Sequence, residues 1–340
     1  MLESLGVRPP TTRTLHVVNG DATAERLQES GVAGRITVSA DVLYEGPAPL
    51  GLSPERWRRV RAQFLAESGY DGYEQALARL SGWDRAIEAY RSYDEVVLWF
   101  EHDLFDQLLL IRLLAWFQAQ EMGLTGVSLI SIGEHPEIPR FVSLGQLLPR
   151  QLAVLPDERR RVTEEQLLLG RDAWRAFCSP EPAVLVSFLA RDTSALPFLD
   201  GALRRHLEEF PSVWNGLPRT EHQALSLAAA GPIPFANLFR AVQEMEERAF
   251  MTDLSFGQRI RLLAIGPRAL LRLDPPATRF LQHQRVSITP AGLEALDGRE
   301  DWVRLRGFDR WLGGVHLHGR EAAWRWDTDS ERLVAGPSVP

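Results

Sequence analysis

Apolar residues follow two rhythms along this chain. In the first 150 residues, short apolar runs alternate with stretches of helical spacing. Leu15 to Val18 is a compact run with β-branched residues, closed by Asn19, Gly20 and Asp21. "ATAERLQES" then predicts a helix, and "RITVSA" from Arg35 to Ala40 predicts a second strand. Between Pro54 and Tyr90 apolar and aromatic residues recur at helical spacing, among them Trp57, Val60, Phe64, Leu77, Leu80 and Ile87, so several helices fill one long crossover. "DEVVLWF" (94–100) is a continuous apolar run of the kind buried on both faces of a parallel sheet. Residues 104–120 form its partner helix, and "GVSLISI" (126–132) is a fourth strand.

This alternation predicts a doubly wound, mostly parallel α/β domain over residues 13–150, Rossmann-like or flavodoxin-like. Right-handed crossovers give the strand order 2-1-3-4, reversing between strands one and three. From 151 to 215 the strands stop and helices are predicted at 163–177, 183–190 and 196–210, a helical linker domain. From 216 to 330 the pattern changes again. Helices opening at "RTEHQALSL" and continuing over 235–248 and 254–264 are followed by strands at 269–273 and 285–288, then by "TPAGLEAL". That order predicts a winged-helix-like α+β domain, closed by a further hairpin from "WLGGVHLHG" and "AAWRWD".

Composition narrows the chemistry. The 340 residues are 45% hydrophobic and 24% charged, ordinary for a globular protein. No apolar run approaches the roughly 20 residues that span a bilayer, and Met1 to Pro10 lacks the form of a secretory signal. The expectation is a cytoplasmic protein with no membrane association. Cys178 is the only cysteine, which excludes an internal disulfide and a thiolate metal cluster. All 38 basic residues are arginine, which excludes lysine Schiff bases and the P-loop lysine. The net charge of -7 is uneven. Residues 1–150 carry 14 Arg against 20 acids, whereas 248–285 carry 7 Arg against 2 acids. The second segment is the place to expect contact with phosphate or nucleic acid.

Ligands of open α/β sheets bind beyond the carboxyl ends of the strands, where the order reverses. Asn19, Gly20 and Asp21 follow strand one and should face Glu101, His102 and Asp103, which follow strand three. Asp41 and Glu45 follow strand two. Asn19, Gly20, Asp21, Asp41 and Glu45 are therefore the candidate ligand-binding residues, and Glu101, His102 and Asp103 the candidate catalytic ones. Oxygen ligands with one imidazole suit Mg or Mn, with Asp21, His102 and Asp103 as metal ligands. A free carboxylate or a metal-activated water would suit a hydrolase, a phosphotransfer enzyme or a sensor of a phosphate-containing or nucleotide-like ligand. Helix capping is the competing account of Asp21, Asp103 and Asp106. "NGDATA" has too few glycines for a dinucleotide cradle. Glu134 and His135 in "GEHP" are weaker candidates at the sheet edge, and His316 and His318 have a spacing compatible with metal on one strand face. The alternative function is a DNA-binding regulator, with Arg259, Arg261 and Arg272 on phosphates and Gln258 at a base edge. A homo-oligomer remains open.

"LHVVNGD", "DVLYEGPAP" and "VVLWFEHDLFDQLLL" resemble segments of a bacterial family known as domain-of-unknown-function family 1835. The likeness extends to "DTSALPFL" (192–199), "LEEFPSVWNGLPRTEHQAL" (207–225), "DLSFGQRIRLLA" and "RWLGGVHL", so it runs over almost the whole chain. It implies that these motifs occur together in full-length proteins with a C-terminal winged-helix-like region. It brings no reaction or cofactor with it.

Overall fold

The computed structural model describes residues 13–276, 283–320 and 322–336; Arg279 of the basic segment lies outside them. The first half of the chain contains β1 (Thr14–Val18), α1 (Asp21–Glu29), β2 (Arg35–Val38), α2 (Pro54–Glu67), α3 (Tyr73–Glu88), β3 (Glu95–Phe100), α4 (Leu104–Gln118), β4 (Gly126–Ser131), a short α5 (Pro149–Leu152) and a two-residue β5 (Arg160–Arg161). There follow α6 (Glu164–Phe177), α7 (Pro182–Leu189), α8 (Leu199–Leu207), α9 (Arg219–Ala229), β6 (Ile233–Pro234), α10 (Phe235–Met245), α11 (Asp253–Leu263), β7 (Leu271–Asp274) and β8 (Arg285–Ile288). The end of the chain holds α12 (Pro290–Leu296), α13 (Trp302–Arg306), β9 (Phe308–Leu312), β10 (Val315–Gly319), β11 (Trp324–Asp327) and β12 (Arg332–Ala335). Among the described residues no helix is long and apolar enough to cross a membrane.

These elements cluster into two compact units made of interleaved stretches. The first comprises the described residues up to Asp41, Ala78–Glu101 and Leu109–Arg171; the second comprises Val42–Leu77, His102–Leu108 and the described residues from Asp172 onward. Residues 42–77 therefore cluster with the C-terminal half, as do α7, α8 and the end of α6 from Asp172, while the start of α6 belongs to the first unit.

The first unit is built on a sheet of order β2-β1-β3-β4-β5. The first four strands are parallel, in the order 2-1-3-4 expected from right-handed crossovers. The fifth pairs antiparallel through Arg160 and Arg161, too short and too charged to show as an apolar run. Register places His16 beside Val97 and Val18 beside Trp99. That face packs with Leu27, Ile130, Phe141, Leu144, Leu147 and Leu152 into one core. His16 is buried on it. Its Nδ1 accepts from Trp99 Nε1 at 3.0 Å and its Nε2 lies 3.2 Å from the Ala33 carbonyl, an arrangement satisfied by the neutral Nε2–H tautomer.

In the second unit, α9, β6, α10 and α11 precede the antiparallel pair β7–β8, and β6 joins β8 to give the sheet order β6-β8-β7. Phe256 of α11 packs against Phe235 and Phe239 of α10, with ring centroids 5.6 and 5.4 Å away. Two hairpins, not one, close the chain: β9 pairs with β10 and β11 with β12. The first turns through Gly313 and Gly314, which press on the backbone of Phe177 and Cys178; Gly313 has φ 62, and a Cβ on Gly314 would sit 1.9 Å from the Cys178 carbonyl oxygen.

Candidate functional site

Strand β3 ends at Phe100, and Glu101 is the first residue beyond it, with no exposure to solvent. Its Oε2 accepts from Asn19 Nδ2, just beyond β1, at 2.5 Å, and its Oε1 accepts from the Leu144 backbone N–H. Asn19 Oδ1 in turn accepts from Thr23 Oγ at 3.0 Å, which fixes the amide's orientation. The ends of β1 and β3 therefore meet where the strand order reverses, as the sequence led us to expect.

Continuing along the same segment, Asp103 caps α4, its Oδ1 accepting from the Asp106 N–H at 3.1 Å. Glu101, Asp103 and Asp106 each offer a carboxylate oxygen, and these lie within 4.8 Å of one another. All three are buried. Burial, and then the neighbouring charge of Asp106, raises the Asp103 carboxyl well above its ordinary range. Burial in this segment thus favours the protonated form of Asp103. A carboxylate oxygen that accepts one hydrogen bond can accept a second partner.

The other candidates have different surroundings. Asp21 is exposed in the first turn of α1, where it favours the helix dipole, and it does not belong to the three-carboxylate group. Gly20 precedes that helix with φ 179, extended backbone open to any residue, and nothing lies within 4 Å of where its Cβ would be. No close approach requires a glycine there. Asp41 is buried. His102 is also outside the carboxylate group. Its ring packs edge-on to Phe198 and its carbonyl accepts from Arg248 Nη1 at 3.2 Å. Burial, helped by the Arg248 charge, lowers the imidazole to about 4, so it is neutral near pH 7. Of Asp21, His102 and Asp103, expected as metal ligands, Asp103 lies among the three gathered carboxylates and the other two lie outside that group. Asp106 was missed because a cap and its first-turn acid explain the D-x-x-D spacing by themselves; the same i, i+3 spacing brings the two carboxylates together.

Glu45 and Arg259 belong to a buried ionic cluster of the second unit. Arg259 is 4% exposed and reaches Glu45 at 3.4 Å, Glu221 at 3.3 Å, and Glu209. Arg310 pairs with Glu221 at 2.5 Å, and Arg205 with Glu209 at 2.8 Å and Glu246 at 2.7 Å. Tyr70 donates to Glu45 at 2.9 Å, and Ser255 of α11 hydrogen-bonds to Tyr44 and Tyr70. Gln258 is likewise committed, donating to the Ser68 carbonyl. Arg259, expected to contact nucleic acid, is inside the protein because three carboxylates neutralise it there; Arg261 and Arg272 are exposed.

His316 and His318 stand on the exposed face of β10, where His316 stacks on Trp311 with centroids 4.4 Å apart and meets Asp309 at 2.8 Å. No family model matches this chain, and no curated protein matches it.

Proposed function

We propose that the turn between β3 and α4 binds a divalent cation of the Mg or Mn type, and through it a phosphate-bearing small molecule, as a hydrolase, a phosphotransfer enzyme or a ligand sensor. The observation that carries this reading is the gathering of Glu101, Asp103 and Asp106 within 4.8 Å at the carboxyl end of a central strand. Three buried carboxylates ionise together only when positive charge compensates them. Asp103 meets that demand by keeping its proton; a hard divalent cation meets it by replacing the proton, and all-oxygen ligands suit such ions. The position supports the reading further, since the reversal of strand order is where open α/β sheets bind ligands. In this reading Asp103 is the residue that holds or gives up a proton, and His102 supports the turn through its carbonyl and Phe198.

Calorimetric titration with Mn²⁺ in buffers of different ionisation enthalpy tests it. Binding should release close to one proton per ion and weaken at least tenfold in Asp103→Asn. No binding at millimolar Mn²⁺, or binding indifferent to that substitution, removes the proposal.

A second reading draws on α9 to β8. Helix, strand, two helices and a hairpin, with the sheet order β6-β8-β7, support a winged-helix arrangement. The inner face of α11 is spent on the protein's own Tyr44, Tyr70 and Glu45, so any nucleic-acid contact would fall to outer residues such as Arg261 and Arg272. Duplex DNA binding that falls steeply with salt, less steeply in Arg272→Ala, would favour it; absence of binding at low salt would end it.

A further inference from the structure

We propose that the second unit carries an oxyanion pocket beside the β9–β10 hairpin that takes a small phosphate-bearing molecule, independently of the cation site above. The cavity has a volume of about 360 Å³, within the range of small-molecule sites and too small for a polymer. Its lining brings together Arg259, Arg306, Arg310, His318 and Arg320.

Two acids also line it, and both are already engaged. Glu221 Oε1 accepts from Arg310 Nη2 at 2.5 Å and from Arg259 Nη1 at 3.3 Å, and Asp309 meets His316 at 2.8 Å. Donors remain. Arg259 Nε and Arg310 Nη1 are buried atoms with no hydrogen-bond partner among the described residues, and Arg310 Nη1 stands 3.9 Å from Glu209 Oε2, an ion pair too long for a hydrogen bond. Buried donors of this kind are rare in native proteins and mark a missing acceptor. Arg306 donates to the carbonyls of Leu262 and Ile265 and meets no carboxylate among the described residues, and Arg320 at the exposed rim has no ion pair among them.

The construction of the hairpin explains how cations reach the cavity from two sides. Arg310 is the register partner of Leu317, so it shares the inward face of the hairpin, whereas His318 pairs with Asp309 on the outward face. Gly307 (φ 82) and Gly319 (φ 94) flank Phe308 and Arg320 without side chains, which keeps the mouth open. Guanidinium forks match phosphate oxygens bidentately. Trp302 and Phe308, both nearly buried in the lining, offer an apolar surface for the organic part of a phosphate ester.

Titration with inorganic pyrophosphate in the presence of EDTA tests this without the cation site. The wild-type protein should bind it, Arg320→Ala and Arg306→Ala should each weaken binding about tenfold, and Asp103→Asn should leave it unchanged. Arg320 is exposed, so its variant keeps the fold, which circular dichroism checks, and its result decides. Absence of binding, equal affinity in wild type and Arg320→Ala, or loss of binding in Asp103→Asn would overturn the pocket. Succinate binding as tightly as pyrophosphate would overturn its preference for phosphate.

Discussion

Asn19 donates its side-chain amide to Glu101 across 82 positions of sequence, tying the end of β1 to the end of β3 where the strand order reverses. Thr23 holds the amide from one side, and the Leu144 N–H holds the other carboxylate oxygen. Hydrogen bonds to buried charged groups are worth about 1.5–3 kcal/mol. Asn19→Ala should therefore lower the unfolding free energy by about that amount in urea denaturation. Asn19→Asp should cost more, because it sets a second carboxylate against Glu101. Equal stability of the two variants would mean that Glu101 is not ionised where it lies.

Asp103→Asn separates stability from binding. Burial raises the Asp103 carboxyl above its ordinary value of 3.8, so the native state holds a proton that the unfolded chain gives up. Its contribution is fully present below pH 3.8 and is lost as pH rises through the raised native value. Asparagine caps a helix as well as aspartate and never ionises. The variant should thus be more stable than wild type at pH 7, with the difference closing toward pH 4, while Mn²⁺ binding is weakened. A destabilised variant at pH 7 would show that Asp103 is ionised and paired in the native protein.

The order of the central sheet was legible because its strands announce themselves: Leu15 to Val18 and Val96 to Phe100 are short apolar runs between helical stretches, and handedness does the rest. The meeting of Asn19 with Glu101 follows from that order. Other features have no local signature. Residues 54–67 show an apolar helical face, but nothing in the period names the surface that covers it, so the interleaving of the two units could not be read. Arg259 counts as one basic residue in a basic segment; its burial depends on Glu45, Glu209 and Glu221, which lie 214, 50 and 38 positions away. Charge along a sequence reports solvent exposure only when such distant partners are absent.

Glu209 is the residue on which the ionic interior of the second unit turns. Burial opposes its ionisation, yet Arg259, Arg205 and Arg310 outweigh that cost and hold the carboxyl well below the usual range. Such a depressed group stabilises the fold above its unfolded value of 4.5, and the contribution is lost as pH falls toward the native value. Glu209→Gln leaves the arginines short of one charge and should cost about 3–5 kcal/mol, the range for breaking a buried pair. A double-mutant cycle with Arg310→Met checks the assignment: a coupling near zero would show that the two residues do not share the cluster.

His206 provides the cleanest acid-sensitive element. It is buried between Phe177 and Phe210, with ring centroids 5.0 and 6.3 Å away. Burial lowers it to about 4, against partial relief from Glu209. The unfolded chain protonates it near 6.5, so its contribution is intact above that pH and falls by about 1.4 kcal/mol per pH unit between 6.5 and about 4. His102 acts in the same window and direction. Asp103 acts in the opposite direction as pH falls, and Glu209 shares the direction of the histidines below pH 4.5, so the pH profile of the wild type alone cannot isolate one group. The difference between wild type and His206→Phe can, because the other groups cancel in it. That difference should shift in favour of the phenylalanine variant as pH drops from 6.5 to 4.5. A flat difference over this interval would mean that the His206 imidazole finds a way to take up its proton inside the fold.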